Sequence, residues 1–285
     1  MARESTMNSN SAVERESPPK ILELARCLSC GNPLAGEPIC LACKRAYPTR
    51  DGITEAIGPL AGRNQIVADF YDGPGWVRFR PWEQAFLILQ GGVRRARTEI
   101  LRHVLGVDTA PARVLEVGIG SGENLTFSHR GWDVFGIDIA RTQLEACLRR
   151  HPDMAGQLAW AEAERLPFAD ATFDASWSVG GFNYFSDHER ALREMRRVTK
   201  PGSPVVVADE VPGLHRAGLG HLLGIPSLDA WWLRKLGLDR EFVRMVLEFN
   251  VDLAGLAGRV WPYHTRHRIW HGMGYCLVDK SGLSE

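Results

Sequence analysis

The stretch Val114-Leu115-Glu116-Val117-Gly118-Ile119-Gly120-Ser121-Gly122 decides how this chain is read. An apolar, partly β-branched run feeds three glycines at alternate positions, and a second apolar run ends further on in Gly136-Ile137-Asp138. That order reads as strand, phosphate-loop-like turn, helix, strand and carboxylate. Gly118, Gly120 and Gly122 take away side chains where the backbone must turn sharply and lie against a ligand. Asp138, at the C-terminal end of its strand, is placed to accept hydrogen bonds from the two hydroxyls of a ribose. The expected ligand is an adenosine-bearing cofactor. The alternative reading of a glycine-rich turn taken alone is a tight connection between a strand and a helix.

The spacing narrows the choice. In a dinucleotide fingerprint the third glycine comes one residue later, and here an acid, Glu116, stands two residues before the first glycine. The pattern resembles motif I of the class I S-adenosylmethionine-dependent methyltransferases. That resemblance implies that Glu116 sits near the amino group of the methionine moiety and that the glycines pack under the sulfonium end. A cation beside a partly desolvated carboxylate is strongly attracted to it. Downstream, Glu162-Ala163-Glu164-Arg165-Leu166-Pro167-Phe168 precedes Asp170 and Phe173-Asp174. It resembles the D-A-E-x-L-P-F segment of quinone-biosynthesis (UbiE-type) methyltransferases, with Glu162 in place of the aspartate. The resemblance gives Glu162 the adenine exocyclic amine and Ala163 a backbone contact to the ring. Tyr71-Asp72 resembles the Tyr-Asp pair that precedes this domain, which makes Tyr71 a lid residue over the cofactor. Ile139, beside the ribose acid, and Ser178, in a strand through Trp177, complete the expected cofactor set. An amphipathic helix over 187–198, the breaker Lys200-Pro201-Gly202 and a strand over 204–208 follow in the family's order. The resemblance covers about residues 60 to 280.

A second signal lies near the start of the chain. Cys27-Leu28-Ser29-Cys30 and Cys40-Leu41-Ala42-Cys43 are two C-x-x-C knuckles, able to converge tetrahedrally on one zinc ion with no position left for water. Such a site is structural. Disulfides and a thioredoxin-type redox pair are the competing readings, disfavoured by a reducing compartment and by the doubled motif. Metal also explains how a few dozen residues fold without a large core. Cys147 and Cys276 read as small core residues. The string Tyr47-Pro48-Thr49-Arg50-Asp51-Gly52-Ile53 resembles the end of the zinc ribbon of a small methyltransferase-activator subunit, and similar ribbons precede some ribosomal-RNA guanine methyltransferases.

That likeness raises an RNA substrate, and charge argues against it. The chain holds 34 basic and 34 acidic residues, a formal net charge of zero, whereas nucleic-acid binders carry a basic excess. The arginines Arg94, Arg95, Arg97 and Arg102 read as the solvated face of a helix whose apolar side is Val93, Ala96, Ile100, Leu101 and Val104. Arg78 and Arg80 lie outside that helix, where they can meet an anionic substrate. Residues 1–20 are polar, lack the apolar core of a signal peptide and read as a disordered tail of a cytoplasmic chain. No apolar run is long enough to span a bilayer.

The segment 212–262 is a long insert rich in Leu and Trp, including Trp231 and Trp232, and then carries Phe242, Met245, Val246 and Phe249 at helical spacing. The resemblance makes it a substrate cap and its apolarity suggests an apolar acceptor; packing on the main core and peripheral membrane contact are the other readings. Residues 267–280 read as strand, glycine turn, strand, the antiparallel end of a methyltransferase sheet. The catalytic residue is unknown at this stage. Histidine is the natural base near neutral pH, and His215, His221, His264, His267 and His271 are candidates that no spacing separates. The expected fold is α/β, a Rossmann-like seven-stranded sheet with helices on both faces (residues 59–285), preceded by a small zinc ribbon (21–58). The expected function is methyl transfer from S-adenosylmethionine to a small, apolar molecule. An rRNA or tRNA methyltransferase gripping RNA through the ribbon, and a cofactor-binding pseudoenzyme recruiting a protein partner, are the alternatives. Oligomeric state is not legible.

Overall fold

The computed structural model describes residues 19–103, 112–128, 131–212 and 219–279. Helix α1 (Lys20–Leu24) leads into the cysteine knuckles, which end in a hairpin of β1 (Thr49–Arg50) and β2 (Ile53–Glu55). Three helices follow: α2 (Gly62–Asp72), α3 (Pro74–Leu89) and α4 (Val93–Leu101). The alternating core is β3 (Arg113–Val117), β4 (Asp133–Asp138), α5 (Arg141–Arg150), β5 (Leu158–Trp160), β6 (Ala175–Val179), α6 (His188–Val198) and β7 (Val205–Glu210). The insert folds as α7 (Leu219–Leu222), α8 (Pro226–Lys235), α9 (Arg240–Glu248) and α10 (Leu253–Val260), before the closing pair β8 (His264–Ile269) and β9 (Gly274–Asp279).

The seven expected strands lie in the order β5-β4-β3-β6-β7-β9-β8, all parallel except β9, which runs antiparallel to β7 and β8. Strand burial explains the pairing. β6 and β9 are buried along their whole length, as strands covered on both faces must be, whereas the edge strand β8 exposes Thr265, Arg266 and Arg268. Alternate residues feed two cores: Val205 and Val207 pack with α6 on one face, Val206 and Ala208 with α4 on the other. α6 begins where the Asp187 side chain accepts the Arg190 N–H and buries Ala191, Leu192, Met195 and Val198.

Two expectations change. The ribbon is part of the sheet: β2 pairs in parallel with β5 from Ile53↔Leu158 to Glu55↔Trp160, so that the sheet has nine strands. Asp51 and Gly52, at φ 52° and 77°, form the two-residue hairpin turn, and the Gly52 carbonyl accepts the Gly156 N–H. Ile21, Leu22 and Tyr47 share one apolar cluster with Leu115, Phe135 and Phe168 of the main domain. Secondly, the helix expected after the glycines is a single 3-10 turn, Glu123–Phe127. The tail falls in residues 1–18, outside the described residues, and α1 already starts at Lys20.

Candidate functional site

The chain runs outward from β3 through β4 to β5 and then returns to the other side of β3 with β6. A crevice at such a reversal, beyond the carboxyl ends of the strands, is where open α/β sheets bind ligands. A cleft lies there, lined by the 118–121 loop, Asp138 and Ile139, Ala161 and Ala163, Gly180 and Gly181, and by Tyr71, Trp76 and Tyr184.

The three glycines do different work. Gly118 and Gly120 have φ +75° and +53°, and a Cβ added at either would meet nothing nearer than 3.9 Å, because the cleft is there. Gly122 faces the other way. A Cβ on it would stand 2.7 Å from Cys147 Sγ and 2.9 Å from His151, so this glycine serves the packing of the loop on α5. Asp138 shapes the same loop: its Oδ2 accepts the Gly120 N–H and its Oδ1 the Ala140 N–H, each at 2.8 Å. Burial pushes its pKa up to about 6.

Six of the expected cofactor residues line the cleft: Tyr71, Gly118, Gly120, Asp138, Ile139 and Ala163. The other four sit behind the wall. Glu116 is fully buried below the loop, holds Asn124 Nδ2 at 2.5 Å, and is raised by burial to about 7. Ser178 is buried in β6. Glu162 turns to α2, where its carboxylate accepts the Asn64 amide at 2.9 Å. Its neighbour Glu164 instead reaches the cleft and accepts the backbone N–H of Ser186 at 2.7 Å.

Sequence reasoning missed the opposite wall. Glu83 of α3 and Arg97 of α4 line the cleft beside Glu123, with Arg97 Nη2 at 3.7 Å from Glu83 and 3.5 Å from Glu123. Arg97 is thus not on a solvated helix face; it is only 7% exposed. Arg80 pairs with Glu123 at 3.4 Å and is not left free for an anion. Glu83 Oε2 is buried with no hydrogen-bond partner among the described residues, and burial raises this carboxyl to about 7. Nothing in the sequence marks Glu83, because its role depends on three helices meeting over the loop. None of the candidate histidines lines the cleft. His221 pairs with Asp229, His264 with the Trp261 carbonyl, His267 with Thr265 and His271 with Gln90, while His215 lies outside the described residues.

The insert closes one side by an aromatic joint. Phe242 of α9 stacks on Phe70 of α2 with centroids 3.9 Å apart and on Tyr184 at 5.5 Å. Met245 and Val246 are buried in the same cluster, as their spacing implied. Trp231 and Trp232 are not in the cleft wall; they stand about half exposed on α8.

In the ribbon, the sulfurs of Cys27, Cys30, Cys40 and Cys43 all lie within 4.8 Å of one another. Each knuckle is built alike: the Cys27 and Cys40 carbonyls accept the N–H of Gly31 and Lys44, both at positive φ. The Tyr47 hydroxyl donates to Cys27 Sγ at 3.3 Å. Four thiols gathered this closely match the donor set of a structural zinc site, whose bonds of about 2.3 Å bring sulfurs to this separation.

The parallel sheet, its reversal and its antiparallel final strand define a Rossmann-like nucleotide-cofactor fold of the methyltransferase type. Residues 115–207 match the methyltransferase domain family, and this match, the glycine loop and the relatives below support a class I S-adenosylmethionine-dependent methyltransferase. The demethylmenaquinone methyltransferase of Thermus thermophilus is 38% identical over 114 residues, 38% of this chain and 51% of that protein. The 2-methyl-6-phytyl-1,4-hydroquinone methyltransferase of Synechocystis is 36% identical over 109 residues, 36% of this chain and 34% of that protein. The chain spans about half or less of the length of these curated relatives.

Proposed function

We propose that this protein transfers a methyl group from S-adenosylmethionine to a small, apolar acceptor, with a structural zinc ion in its ribbon. One observation carries the reading: a single cleft is lined by the glycine loop, by the Asp138 carboxylate at the end of β4 and by the aromatic residues Tyr71, Trp76 and Tyr184. The space over Gly118 and Gly120 fits a cofactor lying directly on backbone. Asp138 would take the ribose hydroxyls, Ala163 and Ile139 the adenine, and Glu116 would act from below through Asn124. When bound, the cofactor supplies an electrophilic methyl on a sulfonium with its leaving group already in place. The protein's task is then alignment and proton removal. Glu83 is suited to the second task. Glu83 lines the cleft, its Oε2 is buried without a hydrogen-bond partner among the described residues, and a pKa near 7 lets it accept the acceptor's proton without being permanently ionised.

The quinone substrates named for the relatives support an apolar acceptor, as does the apolar cap. The neutral net charge speaks against RNA. Unpaired cysteines accord with a cytoplasmic setting. The deciding experiment incubates the protein with cell extract and isotopically labelled cofactor. Label is expected in the organic-solvent phase; label confined to ribosomal or transfer RNA would overturn the reading. With the acceptor found, Glu83→Gln should lower kcat by about 10²-fold or more, the scale of general-base catalysis, with cofactor affinity nearly unchanged.

A further inference from the structure

The outer face of the insert has no counterpart in the cleft. α8 turns Ala230 and Leu233 inward onto the cluster of Phe70, Leu238, Phe242 and Val246, against which the cleft residue Trp76 also packs. Its other face presents Trp231 and Trp232, 49% and 53% exposed, with rings 5.1 Å apart and edge to face. The turn before it exposes Leu222, Leu223 and Ile225 by 76%, 60% and 52%. That turn is tied to α8 because Asp229 accepts the N–H groups of Gly220 and His221 at 2.8 and 2.7 Å. An exposed apolar cluster of this kind marks an interaction site.

Charge identifies the occupant. Within 219–238 the chain has a single acid, which the structure removes from the surface, and the next one, Asp239, is engaged as the cap of α9. Asp229 is 7% exposed and is held below the usual carboxylate range by its hydrogen bond to His221 Nδ1, at 2.5 Å. The exposed charges over 219–238 are therefore Arg234 and Lys235, and the Lys235 ammonium lies 5.6 Å from the Trp231 ring centre. Tryptophans flanked by basic groups are the side chains that settle at the headgroup level of a bilayer. A second copy meeting this face across a two-fold axis would oppose cations to cations. We infer that the outer face of α8, with the turn before it, docks on an anionic lipid surface. This deepens the reading of an apolar acceptor. It places the bilayer against the helix that packs on the same apolar cluster as the cleft residues Tyr71, Trp76 and Tyr184.

The test needs no turnover, so it can fail independently of the proposed reaction. Full-length protein is sedimented with vesicles of phosphatidylglycerol and phosphatidylcholine, and with phosphatidylcholine alone. Binding is expected to the first, weakened by salt, and to fall about fivefold for each charge removed in Arg234→Gln and Lys235→Gln, the scale for a basic residue at an anionic surface. Trp231→Ala with Trp232→Ala should weaken it at least tenfold while calorimetry shows S-adenosylmethionine affinity unchanged, which proves the variant folded. Three results overturn the inference: no sedimentation of wild type with anionic vesicles, equal sedimentation of the tryptophan variant, or a dimer in ultracentrifugation that the same variant abolishes.

Discussion

The ribbon and the insert are both additions to one parallel sheet, yet they are attached in opposite ways. The ribbon shares main-chain hydrogen bonds with β5 and a continuous apolar core with the central strands. The insert's α8 and α9 keep a cluster of their own with α2, joined to the cleft chiefly through Phe242, Phe70 and Tyr184. Only α10 enters the main core, through Leu253, Leu256 and Ala257. An addition built into the ladder should be inseparable from the fold, whereas one resting on side-chain contacts can vary its outer face at small cost.

Deleting residues 1–58 tests the comparison most severely. The cut removes the buried Ile21, Leu22 and Tyr47, and losses of about 2–5 kcal/mol for each such side chain consume a total stability of about 5–15 kcal/mol. No cooperative unfolding transition should remain in calorimetry. A truncated chain that still melts cooperatively and binds cofactor would show the ribbon to be a separate module. The metal should behave likewise: elemental analysis is expected to find about one zinc per chain, and a strong chelator should lower the Tm of the whole protein, not of a fragment.

The insert should respond more locally. Phe242→Ala is expected to cost about 3–5 kcal/mol, as aromatic truncations in a packed cluster do. A double mutant with Phe70→Ala should show coupling, because the two rings stack on each other. Additive losses, read from denaturant midpoints, would mean that the joint between α2 and α9 is not formed in solution.

The cleft between these regions supplies a test in pH. Asp138 is raised to about 6, and Glu83 and Glu116 to about 7, all first by burial. Their folded values exceed their unfolded ones, so the empty protein binds more protons than the unfolded chain over roughly pH 4–7. Their contribution to stability therefore declines as pH rises through that window. A cation in the cleft favours the ionised forms. S-adenosylmethionine affinity should accordingly increase between about pH 6 and 7.5, and that of the uncharged-sulfur product should increase less. Equal pH dependence of the two ligands in calorimetry would remove the carboxylates from the sulfonium's surroundings. Asp138→Ala should weaken binding by about 1–3 kcal/mol, the scale of lost hydrogen bonds to a charged group.

The smallest effect belongs to the ribbon. Lys44 has φ +64° where its counterpart in the other knuckle is Gly31 at φ +74°. Lys44→Gly should raise stability by up to about 1 kcal/mol by relieving the left-handed conformation. A clear loss would mean that the lysine side chain makes a contact that outweighs its strain.

Local chemistry explains what could be read from residues alone. Val114 to Val117 form a strand because they are mostly apolar and partly β-branched; Gly118 and Gly120 follow because φ values of +75° and +53° favour glycine. Asp138 lies at the end of β4, and the doubled C-x-x-C brings four sulfurs together by short-range turns. α6 and the closing hairpin likewise follow from spacing that involves only neighbours in the chain. By contrast, Gly122 reads like its two neighbours and yet packs on Cys147 of α5. Arg97 reads as a surface arginine, and becomes a cleft residue because Glu83 and Glu123 are brought to it from other segments. Asp229 is withdrawn from the surface by its hydrogen bonds to His221 and the turn, which no local spacing announces. The pairing of β2 with β5 joins residues about a hundred positions apart, and no local pattern in either strand specifies that edge. The sequence by itself determined the periodicities, turns and ligand chemistry that short-range sterics and polarity encode. Which carboxylates lost their water, which aromatic rings met, and how the ribbon joined the sheet were decided only when distant segments excluded solvent from one another.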